Sequence, residues 1–214
     1  MQKQIVQILD YGVGNLSSVC NMISKCGGKP LLVSRATALN LHEKIILPGV
    51  GHYCIGIENL RSRGFEEVLK EAVYVNKVPF LGICLGMQLL FDSSEEGNGI
   101  GLGFISGKVK RFSTENNQNL KIPHMGWNTV KVRKSCALAN IDDEEMRFYF
   151  VHSYYASCQN EDDIFMTTKY GNEFVSAVNK DNIYGAQFHP EKSHRFGIGL
   201  FTNFLAINNS NTFH

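Results

Sequence analysis

The chain has 214 residues, 43% of them hydrophobic and 19% charged, so it carries enough apolar side chain for a sizeable core and does not read as disordered. Its 21 basic and 20 acidic residues leave a formal charge of +1. No basic field points to nucleic acid and no polybasic run to a membrane surface. No apolar stretch approaches the roughly 18 residues of a membrane helix, and the N-terminus lacks a signal-peptide pattern. Six dispersed cysteines without a Cys-x-x-Cys pair point to reduced thiols and a cytoplasmic location.

The first half alternates strand and helix patterns. Ile5 to Leu9 reads as a short strand, and Leu16, Val19, Cys20, Met22, Ile23 and Cys26 recur at helical spacing. Gly27-Gly28 stops that helix. Leu31 to Val33 and Ile45 to Leu47 are strand-like, and Phe65, Val68, Leu69, Ala72 and Val73 mark an amphipathic helix. Val78 to Ile83 is a continuous apolar run, as in a strand buried on both faces of a parallel sheet. Beyond residue 105 the predicted strands are Val109 to Phe112, Thr129 to Val132, Met146 to Val151, Ile164 to Thr168, Phe174 to Val178 and Ile183 to Phe188. A last helix fits Gly197 to Leu205. With no repeat and no linker rich in Pro, Gly or Ser, residues 1–214 read as one α/β domain with a mixed second half.

Two glycine-rich stretches invite a nucleotide reading. Gly97 to Gly103 follows polar residues and lacks a Lys-Ser/Thr, so it reads as a flexible surface loop. Asp10-Tyr-Gly-Val-Gly-Asn15 lies between strand and helix but has Ser17 where a third glycine is wanted.

Gly82-Ile-Cys84-Leu-Gly86 sets a cysteine between a buried strand and a helical pattern. This is a nucleophile-elbow arrangement, in which small neighbours permit a sharp, strained turn. Such a turn presents the sulfur at the carboxyl edge of the sheet. A following helix favours thiolate, and the Leu85 N–H would face a developing oxyanion. The same residues fit an inert, closely packed cysteine equally well. His189-Pro-Glu191 shifts that balance. In extended backbone residues i and i+2 share a side, so Glu191 can orient the His189 ring while the ring faces Cys84. Thiolate, imidazole base and carboxylate make a nucleophilic triad. Gln88 falls on the same helix face as Cys84 and offers a carboxamide, and the glycines of Pro48-Gly-Val50-Gly51 can expose further N–H donors. The remaining histidines, His42, His52, His124, His152, His194 and His214, show no spacing for zinc, so no metal and no cofactor are expected.

Gly82-Ile-Cys-Leu-Gly-Met-Gln88 with Gln187-Phe-His-Pro-Glu191 resembles the signature pair of class I glutamine amidotransferases. Asp10 to Leu16, Leu47 to Gly51, Pro123 to Asn128, His152 to Tyr155 and Glu191 to Ser193 narrow the resemblance to the glutaminase subunits of imidazole glycerol phosphate synthases. The resemblance implies a mostly parallel central sheet flanked by helices, with a mixed or antiparallel second half. It implies that Cys84 attacks glutamine, His189 moves the proton and Glu191 orients His189. Val50, Gly51 and Leu85 would serve the oxyanion, and Gln88, Ser153 and Tyr154 would hold glutamine. Asn15, Trp127, Asn128 and Lys192 would lie toward a (β/α)8 cyclase subunit that receives the ammonia and completes a heterodimer. His52-Tyr53 and His194-Arg-Phe196 depart from the family pattern. They leave open a paralogue that supplies ammonia for amidino-sugar synthesis. A catalytically silent binding subunit is the reading from another class, and the intact triad residues argue against it.

Overall fold

In a computed structural model, residues 3–97, 99–114, 120–140 and 145–208 are described. The strands of the first half are β1 (Ile5–Leu9), β2 (Lys29–Val33), β3 (Lys44–Gly49), β4 (Phe80–Cys84) and the two-residue β5 (Ser93–Ser94). Those of the second half are β6 (Gly107–Arg111), β7 (His124–Val132), β8 (Met146–His152), β9 (Tyr154–Cys158), β10 (Ile164–Tyr170), β11 (Asn172–Lys180) and β12 (Ile183–Ala186). The helices are α1 (Leu16–Lys25), α2 (Tyr53–Ser62), α3 (Phe65–Lys70), α4 (Leu85–Gln88) and α5 (His194–Ala206).

The main path of the sheet runs β2-β1-β3-β4-β12-β11-β10-β7-β8. From β2 to β12 neighbours are parallel, and from β12 to β8 they are antiparallel. Alternate side chains of the central strands feed two cores. Ile45, Leu47 and Phe80 pack with Tyr53, Leu60, Phe65 and Leu69 on one face. Ile8, Ile46, Leu81 and Ile83 pack with Val19, Ile23, Phe201 and Phe204 on the other. Each fully buried side chain of this size contributes about 1.5–3 kcal/mol by leaving water, so the two cores fix β4 and β12 as adjacent, parallel central strands. Their carboxyl ends carry Cys84 and, three residues past Ala186, His189.

Some elements follow the sequence pattern and several differ from it. Gly27 takes φ +90° as the helix stop requires. The helix from Phe65 passes into a wider turn over Glu71–Val75. Helix α2 and strand β9 have no counterpart among the predicted elements. The Gly97 to Gly103 stretch is not simply a surface loop. Gly97, Ile100 and Gly103 are exposed, but Gly101 and Leu102 are buried, and the Leu102 N–H donates to the Leu89 carbonyl at 2.9 Å. A methyl on Gly101 would overlap the Phe91 carbonyl and the Tyr53 hydroxyl, so glycine is what lets this crossing lie flat on the core.

Candidate active site

Cys84 ends β4 with φ 55° and ψ −109°, a conformation that side-chain-bearing residues rarely adopt. The turn closes because Gly86 has no side chain: a methyl there would overlap the Leu47 carbonyl of the adjoining strand. Helix α4 that follows is only four residues long, so its dipole is much smaller than the sequence pattern implies. Gly49 pairs with Cys84 across β3 and β4, which sets the Pro48 to Gly51 turn beside the sulfur.

His189 lies beyond β12, where Pro190–Lys192 form a single tight turn. That turn folds the Glu191 carboxylate back, and Oε1 accepts the Nδ1 hydrogen of His189 at 2.7 Å. Nε2 has no hydrogen bond of ordinary geometry among the described residues and is left for the Cys84 sulfur. Burial alone would lower the His189 pKa, but the sulfur and the Glu191 carboxylate together hold it up at about 10. The imidazole is therefore charged and ready to give a proton at neutral pH.

Cys84, Leu85, Val50, Gly51, Gln88, Ser153 and Tyr154 line one cavity of about 320 Å³, a size suited to a small metabolite. Gln88 spends both amide hydrogens internally, on the Tyr154 carbonyl at 3.1 Å and Gln187 Oε1 at 3.0 Å. What it presents to a ligand is its oxygen, an acceptor. Gln187 in turn donates toward the Cys84 sulfur at 3.8 Å. Glu96 also lines the cavity, with one oxygen held by the Tyr53 N–H at 2.8 Å. Glu96 has no signal of its own in the sequence, where it sits in a polar run, and Gln187 stands in the Gln187 to Glu191 motif with no role of its own assigned there.

A family model for glutamine amidotransferase class-I matches residues 7–207. The chain belongs to the class I glutamine amidotransferases.

Among relatives of this amidotransferase, imidazole glycerol phosphate synthase subunit HisH 2 of Methanococcus maripaludis is 50% identical over 201 residues, 94% of this chain and 98% of the relative. The protein of the same name from Pseudomonas aeruginosa is 44% identical over 203 residues, 95% of this chain and 100% of that one. The solved PurLQS structure from Thermotoga maritima superposes with a TM-score of 0.74 at 19% identity, over 95% of this chain and 98% of that chain, and shows the shared fold.

Of the residues expected toward a partner, three are exposed in the amidotransferase. Asn15 caps α1, accepting the Ser18 N–H at 3.3 Å. Lys192 sits 5.8 Å over the Tyr149 ring, and Trp127, edge-on to the same ring at 6.3 Å, is 41% exposed. The His194 imidazole stacks parallel to Trp127, with centroids 5.4 Å apart. Asn128 points to the opposite face of β7, where its amide donates to His124 Nε2 and to the Lys169 carbonyl. The aromatic group touches the triad through main chain. The His189 N–H donates to the Tyr149 carbonyl at 2.9 Å, and Ser193 Oγ accepts the Tyr149 N–H while donating to the His189 carbonyl. Among the described residues no group of three or more His, Cys, Asp and Glu could hold a metal ion, and no helix is long and apolar enough to cross a membrane.

Proposed function

We propose that this chain is a single glutaminase domain that hydrolyses glutamine to glutamate and ammonia, and that it is the glutaminase subunit of an imidazole glycerol phosphate synthase in the cytoplasm. The carrying observation is the sulfur of a strained elbow facing an imidazolium whose far nitrogen is fixed by a buried carboxylate. The Cys84 thiolate attacks the side-chain carbonyl carbon of glutamine, and the C=O electron pair moves onto oxygen. N–H groups of Leu85, Val50 and Gly51 stabilise that oxyanion, each such donor being worth about 10²–10³ in rate. His189 gives its Nε2 proton to the amide nitrogen, the C–N bond breaks and ammonia leaves a thioester. Water then adds to the thioester carbon as His189 takes its proton, and the C–S bond breaks to release glutamate and thiolate.

Ser153, Tyr154 and the Gln88 oxygen hold the substrate in this reading, with the Glu96 carboxylate toward its α-ammonium group. Ammonia passes to a (β/α)8 cyclase subunit that makes imidazole glycerol phosphate and aminoimidazole carboxamide ribotide in histidine biosynthesis. Two full-length relatives bearing that enzyme's name support this partner. Asn15, Trp127 and Lys192 serve the heterodimer face, while Asn128, turned to the other side of β7, acts there only through the strand it anchors. The departures at His52-Tyr53 and at His194 to Phe196 leave open a second reading, in which the same triad supplies an amidino-sugar pathway, and the neighbouring genes separate the two.

The test is Cys84→Ala in the complex. Glutamine-dependent synthesis should be lost while synthesis from ammonium salts continues, because the partner's chemistry does not need the sulfur. Equal loss of both would make Cys84 structural and overturn the assignment.

A further inference from the structure

The registered pairing of β7 and β8 brings two buried histidines face to face, His124 opposite His152, at 3% and 6% exposure. Neither belongs to the triad. His152 Nδ1 lies 2.7 Å from the Tyr154 carbonyl, which can only accept, so Nδ1 carries the hydrogen. In a neutral ring Nε2 is then bare and accepts from His124 Nδ1 at 3.0 Å. The same step repeats at His124, whose bare Nε2 accepts from the Asn128 amide at 3.2 Å. Every hydrogen along this path has one direction. Protonating either ring would set N–H against N–H, and burial opposes that by lowering His152 to about 3 and His124 to about 4.

The far end of the chain is the glutamine pocket. The Tyr154 carbonyl that receives the His152 hydrogen also receives the Gln88 amide at 3.1 Å, and His152 itself lines the cavity with Cys84. Gln88 passes on to Gln187, and Gln187 to the sulfur. We infer that His124 and His152 are positioning residues: the one-way hydrogen-bond chain from Asn128 through both imidazoles fixes the Tyr154 carbonyl, and with it Gln88 and the Ser153–Tyr154 edge that meets the substrate. The inference rests on the reading of this cavity as a glutamine site. The bland alternative is aromatic packing alone. His124 stacks between Phe150 and Tyr170, and His152 contacts Phe112 and Phe174.

Two replacements of His152 separate these roles in the complex with the partner subunit. His152→Phe keeps an aromatic ring and removes the hydrogen donor. His152→Asn gives up the ring but sets an amide N–H near the old Nδ1 position, rescuing the bond to Tyr154. With only the Gln88 amide left to hold the Tyr154 carbonyl, KM for glutamine should rise about tenfold in the Phe variant. The Asn variant should stay within about threefold of wild type, and ammonium-dependent synthesis should be unchanged in both. An Asn variant worse than the Phe variant, or a Phe variant equal to wild type, overturns the inference in favour of packing. Nitrogen chemical shifts of the histidines in the isolated wild-type chain test the chain of bonds without any assay. Both rings should be neutral Nδ1–H tautomers at pH 7. An Nε2–H tautomer or an imidazolium at either position overturns the inference even if a Phe variant fails to fold. A wild-type complex with no glutaminase activity but with both Nδ1–H tautomers would fail the function proposal while leaving the hydrogen-bond chain standing.

Discussion

Glu191 accepts the Nδ1 hydrogen of His189 at 2.7 Å, and each side chain is only 2% exposed. A carboxylate so placed favours the charged imidazole, and the Cys84 sulfur acts on the ring's other side in the same sense.

This pairing gives a stability signature at alkaline pH. The folded His189 titrates near 10, above its ordinary value of 6.5, so folding favours the protonated ring. The increment is fully present below pH 6.5 and disappears as pH rises through about 10. Wild type should therefore lose stability relative to His189→Asn across that window, by something on the order of a few kcal/mol. Because the sulfur does most to raise the pKa, Cys84→Ala should remove a large part of the difference. Urea unfolding of the three proteins at intervals between pH 6 and 10 measures it. A gap that stays constant with pH would mean the ring is not held charged.

The elbow makes a prediction that reverses an ordinary rule. Alanine usually stabilises a protein over glycine by about 0.4–1 kcal/mol, because it restricts the unfolded chain. At Cys84, with φ 55° and ψ −109°, any Cβ carries strain of about 1–3 kcal/mol that glycine escapes. Cys84→Gly should thus be more stable than Cys84→Ala by about 1 kcal/mol and unfold at a higher temperature, with both inactive toward glutamine. Calorimetry decides it. An alanine variant that is the more stable of the two would show an unstrained turn.

Why these features were legible, and others not, follows from the distance over which each is built. The Gly82 to Gly86 elbow and the His189–Glu191 pair are local, since their spacing alone brings the groups together. The parallel first half is legible from continuous apolar runs such as Phe80 to Cys84, which lie between two cores. Strand β9 is different. Its residues are mostly half-buried and show no apolar alternation, and it owes its conformation to pairing with β6. In α2 the apolar positions Tyr53, Ile57 and Leu60 do repeat at helical spacing, but Gly56 and a preceding glycine turn weaken the pattern. Glu96 reaches the cavity only because the glycine crossing at Gly101 brings its segment against Tyr53. His124 and His152 are 28 residues apart, and nothing short of the β7–β8 register makes them partners.

That same pair sets the response to acid. Burial lowers both histidines well below the ordinary 6.5, so the unfolded chain takes up two protons that the folded chain refuses. This contribution is present above pH 6.5 and is lost as pH falls toward about 4 for His124 and about 3 for His152, the opposite sense to His189. Each ring adds about 1.4 kcal/mol per pH unit to the slope. His152→Asn should reduce the fall in stability between pH 6 and 4 by that amount. Denaturant melts of both proteins at four pH values give the slopes, and identical slopes would mean His152 is protonated in the folded chain.

Trp127 provides its own probe of the proposed partner face. It is the single tryptophan, so intrinsic emission reports on this ring alone. At 41% exposure it should emit as a half-hydrated indole, and covering by the proposed cyclase subunit should shift the emission to the blue. Flat, exposed aromatic rings at protein interfaces are often hot spots worth about 2 kcal/mol or more, so Trp127→Ala should weaken the heterodimer at least tenfold. His194 lies parallel on the indole from a backbone at φ 45°. Aromatic pairs of this kind contribute about 0.5–1.5 kcal/mol, so His194→Ser should free the ring and weaken association about two- to tenfold. It should leave turnover at saturating partner unchanged, since the ring stacks on Trp127 rather than on a triad residue. Titration of each variant with the partner, followed by emission and by calorimetry, tests this ordering. Unchanged affinity in Trp127→Ala would move the partner to another face, with the Cys84, His189 and Glu191 chemistry untouched.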